Sequence, residues 1–170
     1  HHGEGTDGVL DLIRIAEVIS GAAPDLVALQ EVDRRAERTG GVDQAAEYGT
    51  LTGLESTFGG FMDYQGGHYG MAILSRHPIL EQTNHRLPAG SEPRTALEVR
   101  VCLPRSGKEV ALVGIHFYRT EEERLAQARA LMGALHGDEG LVILAGDFNS
   151  TPGSPVMELL STRWTVTAKN

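Results

Sequence analysis

Apolar residues at Val9, Leu12, Ile13, Ala16 and Ile19 recur at helical spacing, Asp7 stands where a cap is wanted, and Gly21 precedes Pro24. That pattern predicts a first helix with one buried stripe. Leu26-Val27-Ala28-Leu29 follows as a short continuous apolar run, the signature of a strand covered on both faces. A polar loop from Asp33 to Asp43 leads into a second short helix, from about Gln44 to Leu51. Between Ser56 and Phe117 the period becomes two, with strands expected near 56–64, 69–75, 79–86, 95–103 and 109–117. Turn formers separate them at Gly66-Gly67, His77-Pro78, Pro88 to Pro93 and Pro104 to Gly107, and strands so closely spaced pair antiparallel. Thr120 with Glu123 forms a capping box, the carboxylate reaching back to the cap, and opens a helix with Leu125, Ala128, Leu131, Met132 and Leu135 inward, ending around His136-Gly137. A second strand apolar on both faces, Leu141 to Ala145, runs into Gly146-Asp147-Phe148-Asn149, and a short helix is expected after Pro155.

Helices near both ends with a block of strands between them call for an α/β fold in which a mixed sheet, or two stacked sheets, is covered by helices. The 170 residues suffice for one domain, and 41% hydrophobic with 22% charged residues is ordinary globular composition. Against 23 acidic residues stand 15 Lys and Arg, a net charge of −8. That balance disfavours a protein that coats nucleic acid or an anionic membrane by charge alone. No apolar run approaches the roughly 20 residues of a spanning helix. Cys102 is the single cysteine, which excludes an intrachain disulfide and a thiolate metal site; its alternating surroundings make it a packed thiol.

Two apolar strands deliver a carboxylate at their C-terminal ends: Gln30-Glu31 after the first, Asp147 after the second. A third strand, Ala111 to Ile115, ends in His116. Either carboxylate alone reads as a turn cap and the histidine alone as a satisfied strand end. The three together mark the sheet edge where ligands bind. Carboxylate oxygens of this kind suit Mg²⁺ or Mn²⁺, hard cations that keep several waters.

In these stretches the sequence resembles the endonuclease/exonuclease/phosphatase superfamily, whose fold is similar to that of deoxyribonuclease I. The resemblance is carried, in the family's order, by Pro24 to Asp33 around Leu29-Gln30-Glu31, Tyr69 to Arg76, Glu92-Pro93-Arg94-Thr95-Ala96-Leu97, Gly114-Ile115-His116-Phe117, and Leu144 to Ser150 around Gly146-Asp147-Phe148-Asn149. It implies a four-layer α/β/β/α sandwich of two stacked mixed sheets flanked by helices. It further implies that Glu31 is the metal ligand, that Asp147 and Asn149 hold the attacking water and the scissile phosphate, and that His116 contacts the phosphate. His1 to Gly5 fits just after the family's N-terminal Asn, and nothing after Asn149 matches its later Asp or terminal Asp-His. The chain is therefore expected to be a single domain, residues 1–170, without the first strand and the C-terminal strands.

The implied activity is a Mg²⁺-dependent phosphoesterase acting on a phosphodiester or phosphomonoester. The alternative is a non-catalytic module that keeps the fold and binds through the cleft. Arg94 is a candidate for binding substrate phosphate and Tyr69 for lining the cleft. Asp33, Arg34, Arg35 and Arg38 either rim it or form a solvated loop. Met71 stands where many relatives carry Asn. With Lys108 and Lys169 as the only lysines and 13 arginines dispersed, the expected substrate is a small phosphate ester, a lipid headgroup or a single nucleic-acid strand, ahead of duplex DNA.

Overall fold

The structure is a computed structural model that describes residues 2–137 and 140–167; His1 and the last three residues lie outside the described part. Helix α1 spans Leu12–Ala22 and begins later than the apolar pattern suggests. Asp11, rather than Asp7, is its cap, accepting from the Arg14 amide at 2.9 Å. Asp7 instead accepts from the Val9 amide and pairs with the Arg14 guanidinium, so Val9 and Leu10 sit in an exposed turn ahead of the helix. Ile13 also faces outward, leaving Ala16 and Ile19 as the buried stripe.

Strand β1 (Leu26–Arg34) is followed by α2 (Gln44–Thr52), capped by Asp43, and by β2 (Glu55–Tyr64) and β3 (Gly67–Ser75). These strands form a three-stranded sheet in the order β1-β3-β2, antiparallel throughout, so this sheet is not the mixed one expected. Strands β4 (Ile79–Arg86), β5 (Thr95–Cys102), β6 (Glu109–His116) and β7 (Leu141–Asp147) form the second sheet in sequence order. Only β7 runs parallel to its neighbour, because helix α3 (Glu121–Ala134) carries the chain back across the sheet. Helix α4 (Pro155–Ser161) follows β7.

The layers are therefore α1 and α2, the three-stranded sheet, the four-stranded sheet, and α3 with α4. Ala16, Ile19, Tyr48 and Leu74 pack the first interface. Phe61, Met71, Ile73, Leu97, Val99 and Leu112 fill the space between the sheets. Val113, Ile115, Phe117, Leu131 and Leu160 pack the third. The apolar run of β1 divides accordingly: Leu26 and Ala28 face the other sheet, Val27 and Leu29 face the helices. In β7 the expected cover on both faces fails. Val142 and Leu144 pack beneath the helices, but Leu141 and Ile143, on the opposite face, are 54% and 43% exposed. Among the described strands β7 is the last of its sheet, and the three-stranded sheet covers only part of the four-stranded one.

At the start of α3 the Thr120 hydroxyl accepts from the Glu123 amide, as the capping box requires. The Glu123 carboxylate does not turn back to the Thr120 amide; it accepts from the Thr120 hydroxyl and, at 2.6 Å, from the Ser91 amide, tying the β4–β5 loop to the helix.

Candidate active site

Glu31 owes its place to an irregularity in β1. Leu29 pairs with Ala72 and Val32 with Gly70, so Gln30 and Glu31 together oppose the single residue Met71. This is a β-bulge, which bends the strand and re-aims a side chain. Glu31 takes a left-handed φ of 57°, a conformation that costs a non-glycine residue on the order of 1–2 kcal/mol. Burial raises the pKa of its carboxyl, but nearby positive charge outweighs burial and holds it below the ordinary value. Met71 is fully buried in the inter-sheet core, so it substitutes packing for the hydrogen bond that an Asn there would offer.

His116 and Asp147 are brought together by the parallel pairing of β6 and β7, in which they are register partners. His116 Nε2 lies 3.9 Å from Asp147 Oδ2. The imidazole is 5% exposed, and burial first, then the Arg94 charge, keep its pKa below the usual histidine value against the opposing pull of Asp147, Glu31 and Glu92. Its Nδ1 is buried without a hydrogen-bond partner among the described residues. Beyond the strand ends the Phe117 amide donates to the Asp147 carbonyl at 3.0 Å. Asn149, left-handed at φ 48°, donates its backbone N–H to Asp147 Oδ1 at 2.8 Å and its side-chain Nδ2 to the Phe117 carbonyl at 2.8 Å. One amide donor is thus committed to joining the two strand ends, leaving the other donor and the oxygen for a ligand.

Tyr69, on β3 in the sheet of Glu31, and Arg94, just before β5 in the sheet of His116, complete the group. Arg94 is 6% exposed, lies 4.8 Å over the Phe61 ring and 5.6 Å from the Tyr118 ring, and pairs with Glu92. Its Nε is a second buried donor without a partner. A guanidinium held this deeply with an unspent N–H is prepared for an anion, since an unmet buried donor is costly. Tyr69 packs edge-on against Phe61 at 4.9 Å, and burial, reinforced by the Glu31 charge, pushes its phenol up to about 12.

All six residues singled out from sequence therefore face one end of the inter-sheet space, linked by contacts or by charges felt between them. Sequence reasoning missed Glu92, whose only signal was its place two residues before Arg94. It also left open the role of Asp33 and Arg38, which the structure resolves: Asp33 is fully buried and clamped by Arg38, not part of a solvated loop. For a cation, Glu31 and Asp147 offer hard carboxylate oxygens. Among the described residues no group of three or more His, Cys, Asp or Glu is poised around one point.

The sequence pattern of the Endonuclease/Exonuclease/phosphatase family matches residues 2–168, and the chain belongs to that family. Its members are hydrolases acting on phosphate esters. Uncharacterized protein YbhP of Escherichia coli (strain K12) is 36% identical over 89 residues, which make up 51% of this chain and 35% of that protein. The structure resembles an endonuclease/exonuclease/phosphatase from Beutenbergia cavernae, with a TM-score of 0.76 and 27% identity over 95% of this chain and 51% of that one. The human Nocturnin catalytic domain with bound sulfate superposes with a TM-score of 0.67 at 23% identity, over 89% of this chain and 61% of that one. The chain thus spans about half the length of the Beutenbergia protein, and its two sheets flanked by helices are the four-layer sandwich of the family.

Proposed function

We propose that the chain carries part of the site of a Mg²⁺- or Mn²⁺-dependent phosphoesterase that cleaves a phosphate ester by direct attack of water. The observation that carries this reading is the buried imidazole of His116 held 3.9 Å from the half-exposed carboxylate of Asp147, with Arg94 and Glu31 close enough for their charges to bear on it. Glu31, with Asp147 near it, would hold the cation, whose charge offsets the negative charge built on the phosphoryl and leaving oxygens. Asp147, open to solvent, orients a water and accepts its proton. His116 donates from its Nε2 or Nδ1 side to a non-bridging oxygen, and Arg94 binds the phosphate with its unspent N–H. Asn149 fixes the position of Asp147 through its backbone amide and presents its remaining amide donor to the same phosphate.

Net charge and the scarcity of lysine support a small or lipid-derived ester or a single nucleic-acid strand as substrate, ahead of duplex DNA. The test is hydrolysis of bis(p-nitrophenyl) phosphate by the intact protein with Mg²⁺ or Mn²⁺ and with chelator, beside Glu31→Gln and Asp147→Asn. Metal-dependent turnover that both substitutions abolish is expected. Equal rates in all three proteins would overturn the catalytic reading in favour of a binding module.

A further inference from the structure

Asp33 lies two residues beyond Glu31 on the same strand and is the cross-strand partner of Tyr69. It is fully buried, and its carboxylate receives a two-pronged bond from Arg38, Nε to Oδ2 and Nη2 to Oδ1, both at 2.7 Å. Thr39 Oγ1 adds a third bond at 3.3 Å. The Asp33 amide is in turn held by Gln44 Oε1 at 2.8 Å, and Gln44 is itself buried. The Arg38 amide donates to Gln65 Oε1 at 3.0 Å, so both ends of the residue are fixed. Its guanidinium carbon lies over two rings, 4.4 Å from the centroid of Tyr64 and 5.0 Å from that of Tyr69. Tyr69 then rests edge-on against Phe61, and the Arg94 guanidinium lies 4.8 Å over the Phe61 ring. A series of contacts, Arg38 to Tyr69 to Phe61 to Arg94, therefore runs from the β1 loop to the candidate phosphate-binding guanidinium.

A buried ion pair is weak evidence for stability, since apolar residues of similar volume often serve as well. What such a pair does supply is fixed geometry: the planar fork allows one orientation, and that orientation sets the ring beneath it. We propose that Asp33 and Arg38 are positioning residues of this site, Arg38 holding the Tyr69 ring, and through Phe61 the Arg94 guanidinium, where the substrate phosphate is received. The inference rests on reading the cleft as a phosphoesterase site.

The test is a double-mutant cycle in the intact protein, pairing Arg38→Met and Arg38→Lys with Tyr69→Leu, read first by bis(p-nitrophenyl) phosphate kinetics with Mn²⁺. Each Arg38 variant should raise KM about tenfold with a much smaller change in kcat, the scale expected when a binding group is displaced rather than removed. Lys should not rescue, because an ammonium neither forks onto Asp33 nor stacks as a plane. Combined with Tyr69→Leu, either variant should add nothing further. Additive losses, a wild-type KM in Arg38→Met, or full rescue by Lys would overturn the proposal. A second readout needs no turnover: the ring ¹H–¹³C resonances of the tyrosines during titration with inorganic phosphate. The wild type should shift at Tyr69 as phosphate binds, and both Arg38 variants should weaken that binding without additivity to Tyr69→Leu. If the protein hydrolyses no ester yet shows this pattern, the catalytic reading fails and the positioning role stands. If wild-type protein does not bind phosphate, the positioning role fails as well.

Discussion

His116 and Asp147 are register partners at the ends of two parallel strands, with Nε2 of the first 3.9 Å from Oδ2 of the second, yet one is buried and the other half exposed. Burial disfavours the charged form of His116. Desolvation and Arg94 hold His116 below its ordinary value of 6.5, with Asp147, Glu31 and Glu92 pulling the other way and losing. The unfolded chain therefore takes up a proton at a higher pH than the native protein does. Stability from this group is complete above 6.5 and is lost as pH falls from there to the lower native value. The midpoint of thermal unfolding, followed from about pH 7.5 to 5, should fall more steeply in wild type than in His116→Gln; parallel curves would refute the assignment.

Asp147→Asn separates chemistry from folding. The carboxylate is half exposed, and Asn keeps an oxygen to accept the Asn149 amide, so stability should change by no more than about 0.5 kcal/mol. Hydrolysis should fall by about 10²–10⁴, since an amide cannot take a proton from water. Denaturation and kinetics on the same preparation check both halves, and a large loss of stability would show that the side chain is structural.

Gly146 places Asp147. Its φ of 138° is open to glycine alone, and a Cβ there would meet the Ile115 carbonyl oxygen at 2.0 Å and the Ile115 nitrogen at 2.9 Å. Both are backbone atoms of the paired strand, so no side-chain rotation relieves the clash. Gly146→Ala should cost several times the roughly 1 kcal/mol typical of a substitution and should open the β6–β7 ladder at its His116–Asp147 end. Gly133→Ala, inside α3 with nothing within 4 Å of the added carbon, is the matched control and should stabilise by up to about 1 kcal/mol. Urea midpoints of the two variants should move in opposite directions.

Much of the site was legible because local pattern and chemistry coincide there. An apolar run followed by a polar residue marks a strand end at His116 and Asp147, whereas β1 continues past Glu31 to Arg34, so the strand end expected at Glu31 is a bulge inside the strand. The bulge that aims Glu31 was not legible, since it exists only in the pairing of Gln30 and Glu31 against Met71. Nor was the burial of Arg94 and Asp33, because their cover comes from Phe61, Tyr118 and Tyr69 on other strands or loops. The apolar run of β7 misled on cover for the same reason. It reports what the strand can bury, while its position at the sheet end decides what is buried. The late start of α1 came from a local competition, in which Asp7 is claimed by Arg14 and Asp11 is left to cap.

The link between α3 and the β4–β5 loop gives a last prediction. Thr120→Ala removes the N-cap and should cost about 1 kcal/mol, as such caps do elsewhere. Glu123 does something further, because its carboxylate also holds the Ser91 amide in the loop that ends at Arg94. The Leu87 amide closes that loop on the Arg94 carbonyl at 3.1 Å, so Ser91 is the point at which α3 restrains it. The Thr120 hydrogen bond first, then the Ser91 amide, lower the Glu123 pKa below its ordinary 4.5. The restraint is therefore complete above that value and is lost as pH falls through the lower native one. Glu123→Gln should abolish this acid-side dependence. Glu123→Ala should loosen the loop and raise KM for a phosphate ester, whereas Thr120→Ala lowers the melting temperature with a smaller change in KM. Melting curves and KM for both variants at neutral pH check the division, and equal effects on KM would place the loop's restraint elsewhere.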